Sequence, residues 1–294
     1  MAPVAAPRGL RLIRGFGGAL GRLAPGPASS LARHWFLSPP RRGVPTREAW
    51  WATDGDAFGI PAAGGTLAAW SWGWGPKTVV LVHGWGGRGL QLGAFAAPLV
   101  EAGFRVVAFD APGHGQSPGR SSSLPAMASA VERVVGHLER VDGAEVHGVM
   151  AHSFGAAAVT LALARSSAMA SVGRLVFLAP PADLRSLVRR FGALTGFPEP
   201  VVHRMRRSIE GRFGIVFDEL GPKVLAPQVG RPLLIVHDRG DTEIPWRDGA
   251  TLARAWPGAL LRSTRGLGHF RLLRDSSVVG LGVDFLAEAA ADPE

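Results

Sequence analysis

From Thr66 onward, short apolar stretches rich in β-branched residues alternate with longer segments of helical character. This alternation constrains the fold more than any other feature of the chain. The strand-like stretches fall at 66–72, 78–82, 105–109, 145–150, 174–178, 232–236 and 259–262. Helical segments are expected at 90–102, 124–141, 154–170, 246–255 and 272–289. Such an order predicts the α/β class, with a mostly parallel central sheet and helices on both faces. The alternation breaks once, between Asp183 and Gly230. That stretch carries Arg185, Arg189, Arg190, Arg204, Arg206, Arg207 and Arg212, and it reads as a short helical cap insertion at about 184–229.

Length and charge sharpen the division. A chain of 294 residues fits one large α/β domain or two small ones. The net charge of +9 is uneven: residues 1–47 hold eight arginines (Arg8, Arg11, Arg14, Arg22, Arg33, Arg41, Arg42 and Arg47) and no acid. Residues 48–294 hold 24 basic against 23 acidic residues, so nucleic-acid binding by the body of the chain loses its main support. We therefore expect a basic, Gly/Pro-rich arm at 1–47 and an α/β domain at 48–294. Leu10, Ile13, Phe16, Leu20 and Leu23 recur in the arm at helical spacing, although five glycines between positions 9 and 21 weaken an isolated helix. Arginines interrupt the apolar stretch, so it does not read as a secretory signal. Such a segment allows peripheral contact with an anionic membrane, or it covers apolar surface of its own domain. No apolar run reaches the length of about 18 residues that a membrane span needs. The expected location is cytoplasmic, with membrane association through the arm allowed.

A glycine loop admits two uses. Residues 79–89 read V-V-L-V-H-G-W-G-G-R-G, so Gly84, Gly86 and Gly89 satisfy G-x-G-x-x-G after a strand. Asp110 follows at the end of the next strand. That layout suits a dinucleotide, with pyrophosphate on the glycines and the carboxylate on a ribose, as in an NAD-binding oxidoreductase. It equally suits a loop that presents the backbone N–H of Trp85 to an oxyanion.

Residues 149–155 read V-M-A-H-S-F-G and place Ser153 between an apolar strand and an alanine-rich helix. A tight turn there lifts the central side chain above the sheet edge, and it needs small residues two before and two after, here Ala151 and Gly155. A serine in this position also serves as an ordinary helix cap. Chemistry requires a base to take the serine proton and an acid to orient the base, and in an architecture with such a strand-to-helix turn the chain order is Ser, acid, His. Residues 232–245 read P-L-L-I-V-H-D-R-G-D-T-E-I-P, a buried strand ending in acidic turn residues. His269, within G-L-G-H-F, is the one histidine C-terminal to that stretch.

These residues together resemble the α/β-hydrolase fold superfamily, of the serine esterase, lipase and acyl-hydrolase type. The likeness covers roughly 66–290 and rests on H-G-W-G-G at 83–87, D-A-P-G-H-G-Q-S at 110–117, A-H-S-F-G at 151–155, and H-D-R-G-D-T-E-I-P with G-H-F. The resemblance implies a serine hydrolase acting on an acyl bond through Ser153, His269 and Asp241, the last by the pattern H-x-x-x-D-x-x-V/I-P. Asp238 and Glu243 are neighbouring rivals for the acid, and Asp183 matches an alternative position. Backbone N–H groups of Trp85 and Phe154 would then face the oxyanion. A catalytically silent binding protein of the same fold is the rival function. The implied partner is a small acyl substrate, with no cofactor and no metal; the absence of cysteine removes thiol nucleophiles and zinc ribbons. Asp110, His83 and His152 read as structural hydrogen-bonding groups, and Trp70, Trp72 and Trp74 as one face of a strand.

Overall fold

The computed structural model describes residues 8–41 and 43–288. Residues 1–7 and Arg42 of the expected arm, and 289–294 of the expected body, lie outside the described residues. In chain order the helices are α1 (Arg8–Leu23), α2 (Pro25–Leu37), α3 (Thr46–Asp54), α4 (Ala96–Glu101), α5 (Leu124–Arg140) and α6 (Phe154–Arg165). They continue with α7 (Leu184–Thr195), α8 (Glu199–Phe213), α9 (Pro222–Val229), α10 (Trp246–Ala255), α11 (Gly268–Arg271) and α12 (Ser276–Ala287). The strands are β1 (Asp56–Ala62), β2 (Gly65–Trp72), β3 (Lys77–Val82), β4 (Phe104–Phe109), β5 (Glu145–His152), β6 (Arg174–Leu178), β7 (Leu233–Asp238) and β8 (Leu260–Thr264).

All eight strands join one sheet in the order β1-β2-β4-β3-β5-β6-β7-β8. Only β1 with β2 and β2 with β4 pair antiparallel; from β4 to β8 the sheet is parallel. The inner strands are continuous apolar runs because both of their faces are covered. On one side Val79, Leu81, Val106, Met150, Val176 and Leu234 join Phe95, Leu99, Phe285 and Leu286 in a single buried cluster. On the other, α5 packs on α6, α6 on α9 and α9 on α10.

The chain divides into two compact units, and the boundaries differ from those expected. The larger comprises Pro39–Ala182 with Pro222 onward; the smaller comprises the described residues through Ser38 with Asp183–Gly221. The expected arm is thus split. Arg41 belongs to the larger unit, where its guanidinium donates to the carbonyls of Gly113, Ser117 and Gly119 at 3.2, 2.5 and 2.8 Å. Glu48 there forms a buried ion pair with Arg88. The insertion also ends earlier than expected: α9 packs on α6 and α10, and the Lys223 N–H donates to the Ala182 carbonyl at 3.0 Å, pinning the two strands of chain where the excursion leaves and returns.

Within the smaller unit α1 packs on α2 and α7, and α2 on α8. Three of the five glycines that weaken α1 in isolation form its packing side, while Gly9 and Gly15 are exposed. Gly17, Gly18 and Gly21 are buried. A Cβ on Gly17 would run into the Thr195 carbonyl oxygen, and one on Gly21 into the Pro198 ring. No helix among the described residues is long and apolar enough to cross a membrane.

Candidate active site

Strand β5 ends at His152 and α6 begins at Phe154, so Ser153 alone makes the turn between them. It does so at φ 52°, ψ −122°, a conformation that L residues with a Cβ avoid and that persists only where the surroundings enforce it. The Ser153 N–H donates to the Leu178 carbonyl on β6 at 2.8 Å, fixing the turn to the sheet. The requirement for small neighbours is visible directly. A Cβ on Gly155 would lie 2.5 Å from the His83 carbonyl oxygen, and Ala151 is fully buried.

Sheet topology brings the distant partners to the same edge. Asp241 follows β7, and His269 follows β8. His269 Nε2 stands 3.0 Å from Ser153 Oγ, and its Nδ1 stands 2.7 Å from Asp241 Oδ2. Asp241 Oδ1 accepts the backbone N–H groups of Glu243 and Ile244 at 2.7 and 2.9 Å. Burial alone would push this carboxyl up; hydrogen bonds from His237 and His269 outweigh it and hold the group well below the ordinary carboxylate range. An ionised carboxylate only accepts, so Nδ1 of His269 carries the proton and the Nε2 lone pair faces the hydroxyl. This arrangement is chemically able to take a proton from Ser153 and to stabilise the resulting imidazolium.

The rival acids have other partners. Asp238, at the end of β7, accepts from Thr264 Oγ1 at 2.8 Å and the Leu267 N–H at 2.9 Å, and so shapes the loop that carries His269. Asp183 caps α7 by accepting the Ser186 N–H at 2.9 Å. His237 donates from Nε2 to the Ile244 carbonyl at 3.0 Å and approaches Asp241 Oδ2 at 3.5 Å. That bracing of the acidic turn went unread in the sequence, although His237 heads the very motif that singles out Asp241.

The glycine loop lies beside Ser153. A Cβ on Gly84 would come within 2.9 Å of the Ser153 Cβ, and the Trp85 and Phe154 rings meet edge to face with centroids 5.5 Å apart. Among the described residues neither the Trp85 nor the Phe154 N–H has a hydrogen-bond acceptor. The dinucleotide layout fares differently. The Gly89 N–H donates to Asp110 Oδ1 at 2.7 Å, and Asp110 Oδ2 accepts from the Gln116 N–H at 2.8 Å, so glycine and carboxylate occupy each other. Residues Gly89–Phe95 then form a 3-10 helix where that layout needs the start of an α-helix.

Two further histidines brace these loops. His83 donates from Nδ1 to the Gly84 carbonyl at 2.7 Å and accepts the Ala111 N–H at Nε2 at 2.9 Å. Both roles require the neutral ring, and burial lowers its pKa to about 4. His152 donates from Nε2 to the His269 carbonyl at 3.1 Å and lies against the His269 ring, 4.6 Å between centroids. Burial, followed by the neighbouring His269, holds it well below the ordinary histidine value. Of the tryptophans, Trp70 and Trp72 are buried on β2 as expected, whereas Trp74 lies beyond the strand's end and is exposed.

Sheet order, crossover pattern and the placement of serine, acid and histidine after β5, β7 and β8 define the α/β-hydrolase fold. The family model described as serine aminopeptidase, S33, matches residues 76–216, just under half of the chain and spanning β3 to the end of α8. No curated protein matches the sequence. Solved structures that are similar include the esterase Pf2001 of Pyrococcus furiosus, 19% identical with a TM-score of 0.65, covering 85% of this chain and 98% of that one. Est1E of Butyrivibrio proteoclasticus, solved with ferulic acid bound, is 20% identical with a TM-score of 0.62, covering 79% and 100%. Rv0554 of Mycobacterium tuberculosis is 18% identical with a TM-score of 0.60, covering 80% and 100%.

Proposed function

We propose that this protein is a serine hydrolase that cleaves a carboxylic ester or related acyl bond through an acyl-enzyme intermediate. The observation that carries the reading is the unbroken hydrogen-bonded line from Ser153 Oγ through His269 to Asp241, with Ser153 held at positive φ. The esterases among the similar structures support the same class of reaction.

In this reading Ser153 Oγ attacks the substrate carbonyl carbon while His269 Nε2 takes the hydroxyl proton. Asp241 holds the imidazole and stabilises its charged form. The Trp85 and Phe154 N–H groups stabilise the tetrahedral oxyanion, each donor typically worth about 3 kcal/mol. Collapse expels the alcohol, which receives the proton from His269 and leaves an ester on Ser153. Water, deprotonated by the same imidazole, attacks that ester and releases the acid, restoring the serine. No step requires a cofactor.

Turnover of a p-nitrophenyl ester series of graded acyl length tests this. Ser153→Ala and His269→Ala each lower kcat by several orders of magnitude, and the double variant is little worse than either, because the two groups act as a unit. Retention of most activity by His269→Ala refutes the assignment.

A further inference from the structure

Helix α1 packs in the smaller unit mainly through one side, and among the described residues the only ring contact of its large apolar side chains is that of Phe16 with Trp35, 6.4 Å between centroids. With 100° per residue, Gly17, Gly18 and Gly21 share one side, and this is the side that packs. Leu12, Phe16, Ala19 and Leu23 share another, which is turned outward: Leu12 is 75% exposed, Phe16 53% and Leu23 85%. Ile13, 42% exposed, extends it. Arg11 and Arg22, both exposed, lie on the border between the two sides. A helix that packs through its glycines and presents its large apolar side chains to the outside is the reverse of the usual arrangement for a surface helix.

Charge identifies what covers this face. The described residues of the smaller unit hold twelve arginines against five acidic residues, a net charge of +7 out of the chain's +9. A second copy of the chain would bring the same positive charge to the contact. An anionic bilayer offers negative headgroups at the level of the arginines and an apolar interior below them for the leucines and Phe16. We propose that the outward face of α1 is a docking surface for anionic lipid bilayers, with α1 lying in the membrane plane. This is independent of the chemistry at Ser153.

The test uses full-length protein floated with vesicles of phosphatidylcholine containing about 30% phosphatidylserine, against pure phosphatidylcholine, at low and high salt. Binding is expected to the anionic vesicles at low salt and to be lost with neutral vesicles or high salt. Arg22→Gln lowers the partition coefficient about fivefold, as expected of one arginine near such a surface. Leu12→Gln/Leu23→Gln lowers it about tenfold or more per leucine, and because both side chains are outside the core the thermal melt stays unchanged. Failure of the parent protein to float with anionic vesicles at low salt overturns the proposal. So does a Leu12→Gln/Leu23→Gln variant that binds as the parent does. Concentration-dependent self-association that this variant abolishes, without vesicle binding, assigns the face to a second copy instead.

Discussion

Replacing Asp241 by asparagine is isosteric, yet the hydrogen bonds around the site predict a large loss of activity. Oδ1 accepts two backbone N–H groups, from Glu243 and Ile244, and Oδ2 accepts His269 Nδ1–H. An amide has one oxygen and one NH2, so it satisfies only one of these sides. Turning the NH2 toward the backbone leaves two buried donors unpaired, at about 1–3 kcal/mol each. Turning it toward His269 costs less, because the imidazole answers by moving its proton from Nδ1 to Nε2. The second arrangement therefore prevails, and Nε2 then donates to Ser153 instead of accepting from it. With the base in the wrong tautomer, kcat at neutral pH falls by about 10⁴ with KM little changed, equivalent to about 5 kcal/mol of barrier. Steady-state hydrolysis of a p-nitrophenyl ester measures this, with a urea melt showing that the variant is folded. A folded Asp241→Asn protein keeping more than about a tenth of parental kcat refutes the tautomer argument, since the whole effect amounts to several decades.

Three further outcomes follow from particular contacts. Asp241 is held below its ordinary value, so its contribution to stability is present above about pH 4 and is lost as pH falls through the depressed folded value; urea melts across that range show the gap between parent and Asp241→Asn closing toward acid. Gly155→Ala pushes a Cβ against the His83 and Val82 carbonyl oxygens and costs about 1–3 kcal/mol by denaturant unfolding, where a stability gain contradicts the packing described. Gly17→Ala/Gly21→Ala reverses the usual helix preference for alanine of about 1 kcal/mol per site: limited proteolysis cuts between α1 and α2 faster than in the parent, and slower cutting tells against the glycine packing side.

The central strands are legible in the sequence because parallel strands buried on both faces must be apolar throughout, as 79–82 and 233–236 are. Strand β1 is not. Residues 56–62 contain Gly59 and Pro61, and only Ile60 is buried, as an antiparallel edge strand permits. Ser153 and His269 can be found by position, since the serine needs a strand-to-helix turn and the histidine must follow the acidic turn. The choice of acid is a different matter. Asp238 and Asp241 share one turn, and it takes their hydrogen bonds to show that one serves the loop and the other the imidazole. The α1 glycines mislead for a related reason. Local propensity counts Gly17 and Gly21 as defects, whereas their partners, Thr195 and Pro198, lie some 180 residues along the chain.

The central claim is that Ser153 is the nucleophile, and covalent capture tests it most directly. Treating the full-length protein with a fluorophosphonate, then locating the adduct by peptide mass spectrometry, is expected to give one phosphonylated residue, Ser153. Labelling is expected to be abolished in Ser153→Ala and strongly slowed in His269→Ala, where the base that activates the hydroxyl is missing. A folded parent protein that takes up no label, or a Ser153→Ala variant that labels at the parental rate, contradicts the account.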